Sequence, residues 1–401
     1  MTLFDKFTPV RTAHQAIVDH GVDPFRLVVQ QVLSPTEAMI NDRRTILAGT
    51  NNYLGLTFDP QCIAAAREAL ERHGTGTTGS RMANGSFEGH VALEKEIAEF
   101  YGCSTAIVFS TGYQANLGIL STLAGPEDVI LLDADSHASI YDGCRLGGAE
   151  VIRFRHNDVN DLEKRLVRLG ERATRTLIVL EGIYSMLGDR APLAPIVAIK
   201  EKYEACLVVD EAHSLGVLGP HGRGLAEEAK LEDNVDFIVG TFSKSLGSTG
   251  GFCVSRRPEL DYIRYMSRPY IFSASLCPSV VASTRMALKI LEENHQLRER
   301  LWENSHVLYE GLQKAGFALG PEVSPVVAAT VPSKEYAIAF WNGLIEQGVY
   351  VNLMLPPATP NGLSLLRCSV SAAHTTAQLT YICETFASLK EKLGELQIET
   401  S

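Results

Sequence analysis

The eight cysteines of this chain never form a pair. They stand singly at positions 62, 103, 144, 206, 253, 277, 368 and 383, with no CxxC among them. That spacing offers neither a zinc site nor a redox dithiol, and it suits free thiols in a reducing compartment. Positive charge is also scarce. Lys and Arg number 36 against 47 Asp and Glu, a formal net charge of −11, which argues against a general nucleic-acid binder. An anionic small substrate stays open, because a local basic pocket can sit on an acidic protein. No apolar stretch approaches the roughly 18 residues of a membrane span. The opening "MTLFDKFTPV" has no basic segment followed by a long apolar run, so no secretory signal is expected. Internal repeats and low-complexity tracts are absent. The expectation is a cytoplasmic protein with no metal, no nucleic-acid partner and no stable membrane insertion.

What is present is a long chain of ordinary globular composition. The 401 residues are 45% hydrophobic and 21% charged, enough for two or three domains. Residues 1–50 read as a helix, "DKFTPVRTAHQAIVDHG", followed by an extended piece. From 51 to 280, apolar runs alternate with helical patterns. The runs are "TAIVFS", "DVILLDAD", "AEVIRFRH", "TLIVLEG", "ACLVVDEAH", "FIVGTFS" and "GGFCVS". Continuous Val, Ile and Leu runs suit strands buried on both faces of a mostly parallel sheet. Residues 281–401 change to long helices with shorter strands, a smaller α+β domain. The fold class expected is α/β, a mostly parallel seven-stranded sheet with a smaller C-terminal domain.

In open α/β sheets ligands lie beyond the carboxyl ends of the strands. Those ends carry Ser110-Thr111-Gly112-Tyr113, Asp135-Ser136-His137, Glu181 to Ser185, Asp210-Glu211-Ala212-His213 and Thr241-Phe242-Ser243-Lys244. A loop lysine is ordinarily a surface charge. Lys244, between a buried strand and a run of glycines, fits a Schiff-base lysine in a partly desolvated pocket better. Thr241 and Ser243 then offer hydroxyls to a phosphate, and the turn through Gly112 into a helix favours an anion. Asp210 suits a partner for a protonated pyridine nitrogen. Taken alone, His137 and His213 would be ordinary structural histidines. "GTGTTG" at 74–79 matches G-x-G-x-x-G, but the segment before it is helical rather than a strand, so no dinucleotide site is expected. The lysine segment lacks the P-loop pattern as well.

"DADSHASIYDG", "EGIYSMLGD", "VVDEAHSLGVLGPHGRG" and "GTFSKSLGSTGG", in this order and spacing, resemble the α-oxoamine synthases. These are fold-type I enzymes dependent on pyridoxal 5'-phosphate (PLP), which condense an amino acid with an acyl-CoA and release CO₂. The resemblance runs from about residue 45 to the C-terminus. "DPFRLVVQQVLSPTEAMI", "SRMANGSFEGH", "RFRHNDVNDLEKRL", "SRPYIFSASLCPSVVA" and "LPPATPNG" are most similar to the branch that joins L-serine to a long-chain acyl-CoA.

The resemblance implies a role for each matching residue. Lys244 would hold PLP and, once displaced, act as base at Cα. Asp210 would pair with the pyridine nitrogen. His213, with Ser185, would reach the phenolic oxygen, and His137 would stack on the ring. Gly112, Tyr113, Thr241 and Ser243 would bind the phosphate. Ser273 would add a phosphate contact from the neighbouring subunit, making the active site a shared feature of a homodimer. Arg367 would clamp the substrate carboxylate, and Asn52 would line the amino-acid site. Related enzymes use alanine with pimeloyl-CoA, or glycine with acetyl- or succinyl-CoA. A catalytically silent partner subunit would be expected to lack the lysine, which is present here.

Overall fold

The computed structural model describes residues 2–19 and 21–399, with side chains for all of these except 13, 16 and 395–399. The chain divides into two compact units. The larger comprises Asn52–Ser185 and Asp189–Glu299, the smaller Met1–Asn51, Met186–Gly188 and Arg300–Ser401.

The larger unit is built on seven strands, one from each apolar run: β1 (Thr105–Phe109), β2 (Val129–Asp133), β3 (Glu150–Phe154), β4 (Thr176–Glu181), β5 (Cys206–Asp210), β6 (Phe237–Thr241) and β7 (Gly251–Ser255). Their spatial order is β1-β7-β6-β5-β4-β2-β3. All neighbours are parallel except at β7, which runs antiparallel to both β1 and β6. Alternate residues of a strand face opposite sides. Ile130 and Leu132, Leu177 and Val179, Val208, and Phe237 and Val239 form one core. Helical residues Ala115, Ile119 and Ile140 belong to the same cluster. The intervening Leu131, Ile178, Leu180, Val209 and Ile238 are buried too, so both faces are covered and the runs cannot alternate with polar residues.

That alternation also positions the chemistry. Continued by two residues, the core column of β4 ends at Glu181, that of β5 at Asp210 and that of β6 at Thr241. Three polar side chains are therefore delivered to one face at the carboxyl edge of the sheet.

The smaller unit holds two four-stranded sheets. In one, Val29–Ser34, Glu37–Ile40 and Arg43–Leu47 form an antiparallel meander, and Val349–Tyr350 adds to its edge in parallel with Arg43–Leu47. The N-terminal 50 residues thus pair with the C-terminal part of the chain. The other sheet is antiparallel, in the order Ala318–Leu319, Val326–Val331, Ser364–Ser369, Asn352–Met354. The helix Pro278–Glu293, which spans the boundary expected at 280, lies wholly in the larger unit. Among the described residues no helix is long and apolar enough to cross a membrane, and no group of His, Cys, Asp and Glu is arranged to hold a metal.

Candidate active site

A cavity of about 270 Å³ opens at the carboxyl edge of the sheet in the larger unit, lined among others by Gly112, His137, Glu181, Asp210, Thr241 and Lys244. Tyr113, Asn116, His213 and Ser243 also belong to the polar part of its wall. Eight of the residues expected at a site from sequence are therefore brought together in one place.

Asp210 is the best-held acid. Its Oδ1 accepts from the main-chain N–H of Ala212 at 2.9 Å and its Oδ2 from Asn116 Nδ2 at 2.7 Å. Asn116 is buried in the helix Gly112–Leu123, and the same amide also donates to Ser139 Oγ at 2.9 Å. His213 shares a 2.7 Å hydrogen bond between its Nδ1 and the hydroxyl of Tyr53, a side chain with no exposure at all. His137 caps the helix Ala138–Leu146, its Nδ1 2.7 Å from Ser139 Oγ. Burial lowers the imidazole pKa of His137, Asp210 opposes that shift, and the Lys244 charge adds to it.

The phosphate-like end is built from backbone and hydroxyls. Thr111 caps the helix Gly112–Leu123 by accepting from Gln114 N at 3.0 Å. The first N–H groups of that helix have no intrahelical partner and carry the positive end of its dipole. Opposite, Thr241 donates to the Gly250 carbonyl at 2.9 Å and lies 2.8 Å from Ser243 Oγ. A Cβ on Gly112 would sit 2.9 Å from both Cβ and Oγ1 of Thr241, so only glycine leaves this cradle open. Tyr113 hydrogen-bonds through its hydroxyl to Asp142, at the rim.

These residues fit PLP. The site supplies a lysine, a buried acid held by two donors, a cavity partly walled by His137 and an anion cradle that a methyl group would fill. Among the described residues no group donates to Asn116 Oδ1, which is buried, so the wall keeps polar capacity in reserve. Gly112→Ala is expected to weaken PLP binding by about tenfold or more, because Thr241 or the helix start must shift. Titrating the purified apoprotein with PLP and following its absorbance measures this. An unchanged dissociation constant would mean that the cradle lies elsewhere.

Other expected residues lie outside this cavity wall. Ser273 accepts from Nε2 of Gln114, in the first turn of the helix Gly112–Leu123, at 2.9 Å. Ser185 ends the first segment of the larger unit. Asn52 is buried, donating to Thr57 Oγ1 at 2.8 Å, and among the described residues nothing donates to its Oδ1. Arg367 belongs to the smaller unit, where it is buried and donates to Asn51 Oδ1 at 3.2 Å. A larger groove of about 700 Å³, between the helices Pro60–His73, Glu88–Phe100 and Pro278–Glu293, has mixed charge and no comparable convergence of reactive groups.

Sequence reasoning missed Asn116 and Tyr53, and it placed Glu181 at a strand end without giving it a role. Glu181 had one available signal, its even spacing from Leu177 and Val179. A second buried charge centre lies on the opposite face of the sheet edge. His156 lies between Asp133 Oδ1 at 2.8 Å and Asp189 Oδ2 at 2.7 Å, with the ring of Tyr184 edge-on at 4.5 Å. Asn157 also donates to both aspartates, from its main chain to Asp133 and from its side chain to Asp189, each at 2.9 Å.

Residues 44–386 match the family model for aminotransferase class I and II. The chain belongs to that family. It is 59% identical over 397 residues to the serine palmitoyltransferase of Caulobacter vibrioides, covering 99% of this chain and 98% of that protein. It is 53% identical over 395 residues to the serine palmitoyltransferase of Sphingomonas paucimobilis, covering 98% and 94%. Among solved structures, a high-resolution structure of SPT with the PLP internal aldimine superposes with a TM-score of 0.96 at 52% identity, covering 98% of this chain and 100% of that one. The mostly parallel sheet of this aminotransferase-family chain is accordingly that of fold type I.

Proposed function

We propose that this aminotransferase-family protein is a serine palmitoyltransferase. It condenses L-serine with palmitoyl-CoA and releases CoA and CO₂, giving 3-ketodihydrosphingosine. The observation that carries the reading is the convergence of Lys244, Asp210, His137 and His213 on one cavity, in a chain alike over its full length to serine palmitoyltransferases.

PLP, when bound, supplies an electron sink for the bonds at the substrate's Cα. The protein does the rest. Lys244 Nζ would hold the cofactor through its amine and, when free, would take and return a proton at the substrate's Cα. Asp210 would face the pyridine nitrogen, its carboxylate plane fixed by its two donors. His213 donates toward the phenolic oxygen with Ser185 nearby, its ring oriented by Tyr53. His137 stacks against the ring, with burial favouring its neutral form. Gly112, Tyr113, Thr241 and Ser243 would anchor the phosphate and so hold the ring's position independently of the lysine. Ser273 adds a phosphate contact from the neighbouring subunit of a homodimer. Asn52 and Arg367 serve the amino-acid substrate, the guanidinium pairing with its carboxylate. The enzyme works in the cytoplasm.

Product mass spectrometry tests the reading. The purified protein is incubated with L-serine, glycine or L-alanine, each against acetyl-, pimeloyl-, succinyl- and palmitoyl-CoA. Serine with palmitoyl-CoA is expected to dominate with a 3-ketodihydrosphingosine mass. A different dominant pair would keep the PLP site and reassign the substrates.

A further inference from the structure

Two buried acids stand side by side in this cavity, and the reaction as derived uses one. Glu181 and Asp210 are register partners on the parallel strands β4 and β5. Both are nearly inaccessible, 3% and 5% exposed, and both line the cavity with Lys244. Like charges directly opposite on neighbouring strands repel, and burial in low dielectric sharpens the cost. An acid is kept at such a position for a reason, and the geometry gives one. Glu181 Oε1 accepts the main-chain N–H of His137 at 2.5 Å. That N–H lies in the loop between β2 and the helix Ala138–Leu146, where no strand or helix partner is available to it.

We infer that Glu181 is a positioning residue: its carboxyl clamps the main chain of His137 and so sets that imidazole against the cofactor ring. The inference rests on the PLP reading above. His137 is held from two sides, by Glu181 at its N–H and by Ser139 at its ring. The helix that follows holds the ring through Ser139, while Glu181 holds the main chain that carries it. Burial, then the nearby Asp210 charge, pushes the Glu181 carboxyl well above its ordinary range, against the opposing hydrogen bond from His137 and the Lys244 charge; Asp133, from the other face, adds to the rise. Burial and the Asp210 charge thus favour the neutral carboxyl. A neutral side chain that accepts one hydrogen bond is what glutamine also supplies, in nearly the same shape.

The test uses the purified full-length enzyme and PLP itself, reading the PLP dissociation constant and the absorption spectrum of the bound cofactor. Glu181→Gln is expected to bind PLP within about threefold of wild type, with an unshifted spectrum. Glu181→Ala is expected to bind about tenfold or more weakly, with a shifted band. In a His137→Ala background the further change Glu181→Ala should have little effect, since the glutamate acts through that histidine. A merely structural role would give independent effects in the two backgrounds and overturn the inference. So would a Glu181→Gln variant as impaired as Glu181→Ala, which would mean that the charge matters and not the clamp. Should Glu181→Ala not fold, the glutamine variant decides alone, a loss of tenfold overturning the inference and near-identity supporting it. Wild-type protein that fails to bind PLP would instead overturn the reading of the site itself, with these variants then no different from it.

Discussion

Replacing Lys244 by alanine is expected to remove turnover by at least about a thousandfold and to abolish the near-visible absorbance of the lysine-linked cofactor. General-base catalysis alone is worth about 10²–10⁴, and the same amine also provides the covalent tether. The variant should still bind PLP. Asp210 with its two donors, the helix start at Gly112 and the Thr241–Ser243 hydroxyls all remain. Lys244→Arg sharpens the result. It keeps a positive charge in the cavity but supplies no nucleophile and no base at accessible pH, so it should be as inactive as the alanine variant. Turnover assay and absorbance of the protein titrated with PLP read both effects. An alanine variant that kept the full lysine-linked band would mean that another lysine carries the cofactor, and the assignment of the whole cavity would fall with it. An arginine variant with substantial activity would reduce Lys244 to an electrostatic role.

Lys244 was legible because its signal is local: a buried strand, two hydroxyls and a crowd of glycines within one short stretch. The same holds for the seven strands. Runs such as "VILLD" and "CLVVD" have too many consecutive apolar residues for a surface strand, so two-sided burial follows from composition alone. Glu181 shows where local reading stops. At a strand end it looks like any terminal charge, and its importance depends on lying opposite Asp210. Register between β4 and β5 is set by packing across a crossover, not by either segment. Tyr53 and Asn116 are still less visible. One is an aromatic residue in a turn and the other an amide in a helix, and only the assembled fold puts them on His213 and Asp210. The N-terminal strands are hidden in the same way. Their parallel neighbour, Val349–Tyr350, is some 300 residues away along the chain, and no periodicity encodes so distant a pairing. Phrases such as "RFRHNDVND" were legible as a family feature, yet nothing in them announced that His156 would be trapped between two acids.

That trapped histidine gives the largest expected effect on stability. Burial alone would depress the His156 pKa, but hydrogen bonds to Asp133 and Asp189, with the charges behind them, outweigh it and push it up to about 10. Asp135 stands 3.9 Å from the same ring. The folded protein therefore holds an imidazolium where the unfolded chain titrates near 6.5. A group whose pKa rises on folding contributes stability that is fully present below the unfolded value and is lost as pH climbs through the folded one. For His156 that window runs from about 6.5 to about 10, with at most about 5 kcal/mol at stake. His156→Ala at neutral pH removes the cation and leaves Asp133 and Asp189 buried against each other, a change of the kind that costs about 3–5 kcal/mol. Total stabilities are commonly only about 5–15 kcal/mol, so the variant should melt at a visibly lower temperature. His156→Gln, which fills more of the space and donates one hydrogen bond, should be intermediate. The decisive measurement is the gap in melting temperature between wild type and His156→Gln as a function of pH. It should be widest near pH 6 and narrow steadily towards pH 10, because over that window the folded imidazolium holds a proton that the unfolded chain has released. A gap that stayed constant across that window would mean that His156 is neutral in the folded protein, and that the two aspartates share a proton instead. The column alternation puts this group on the face away from Lys244, so PLP affinity in His156→Gln should stay close to wild type while the melting temperature falls.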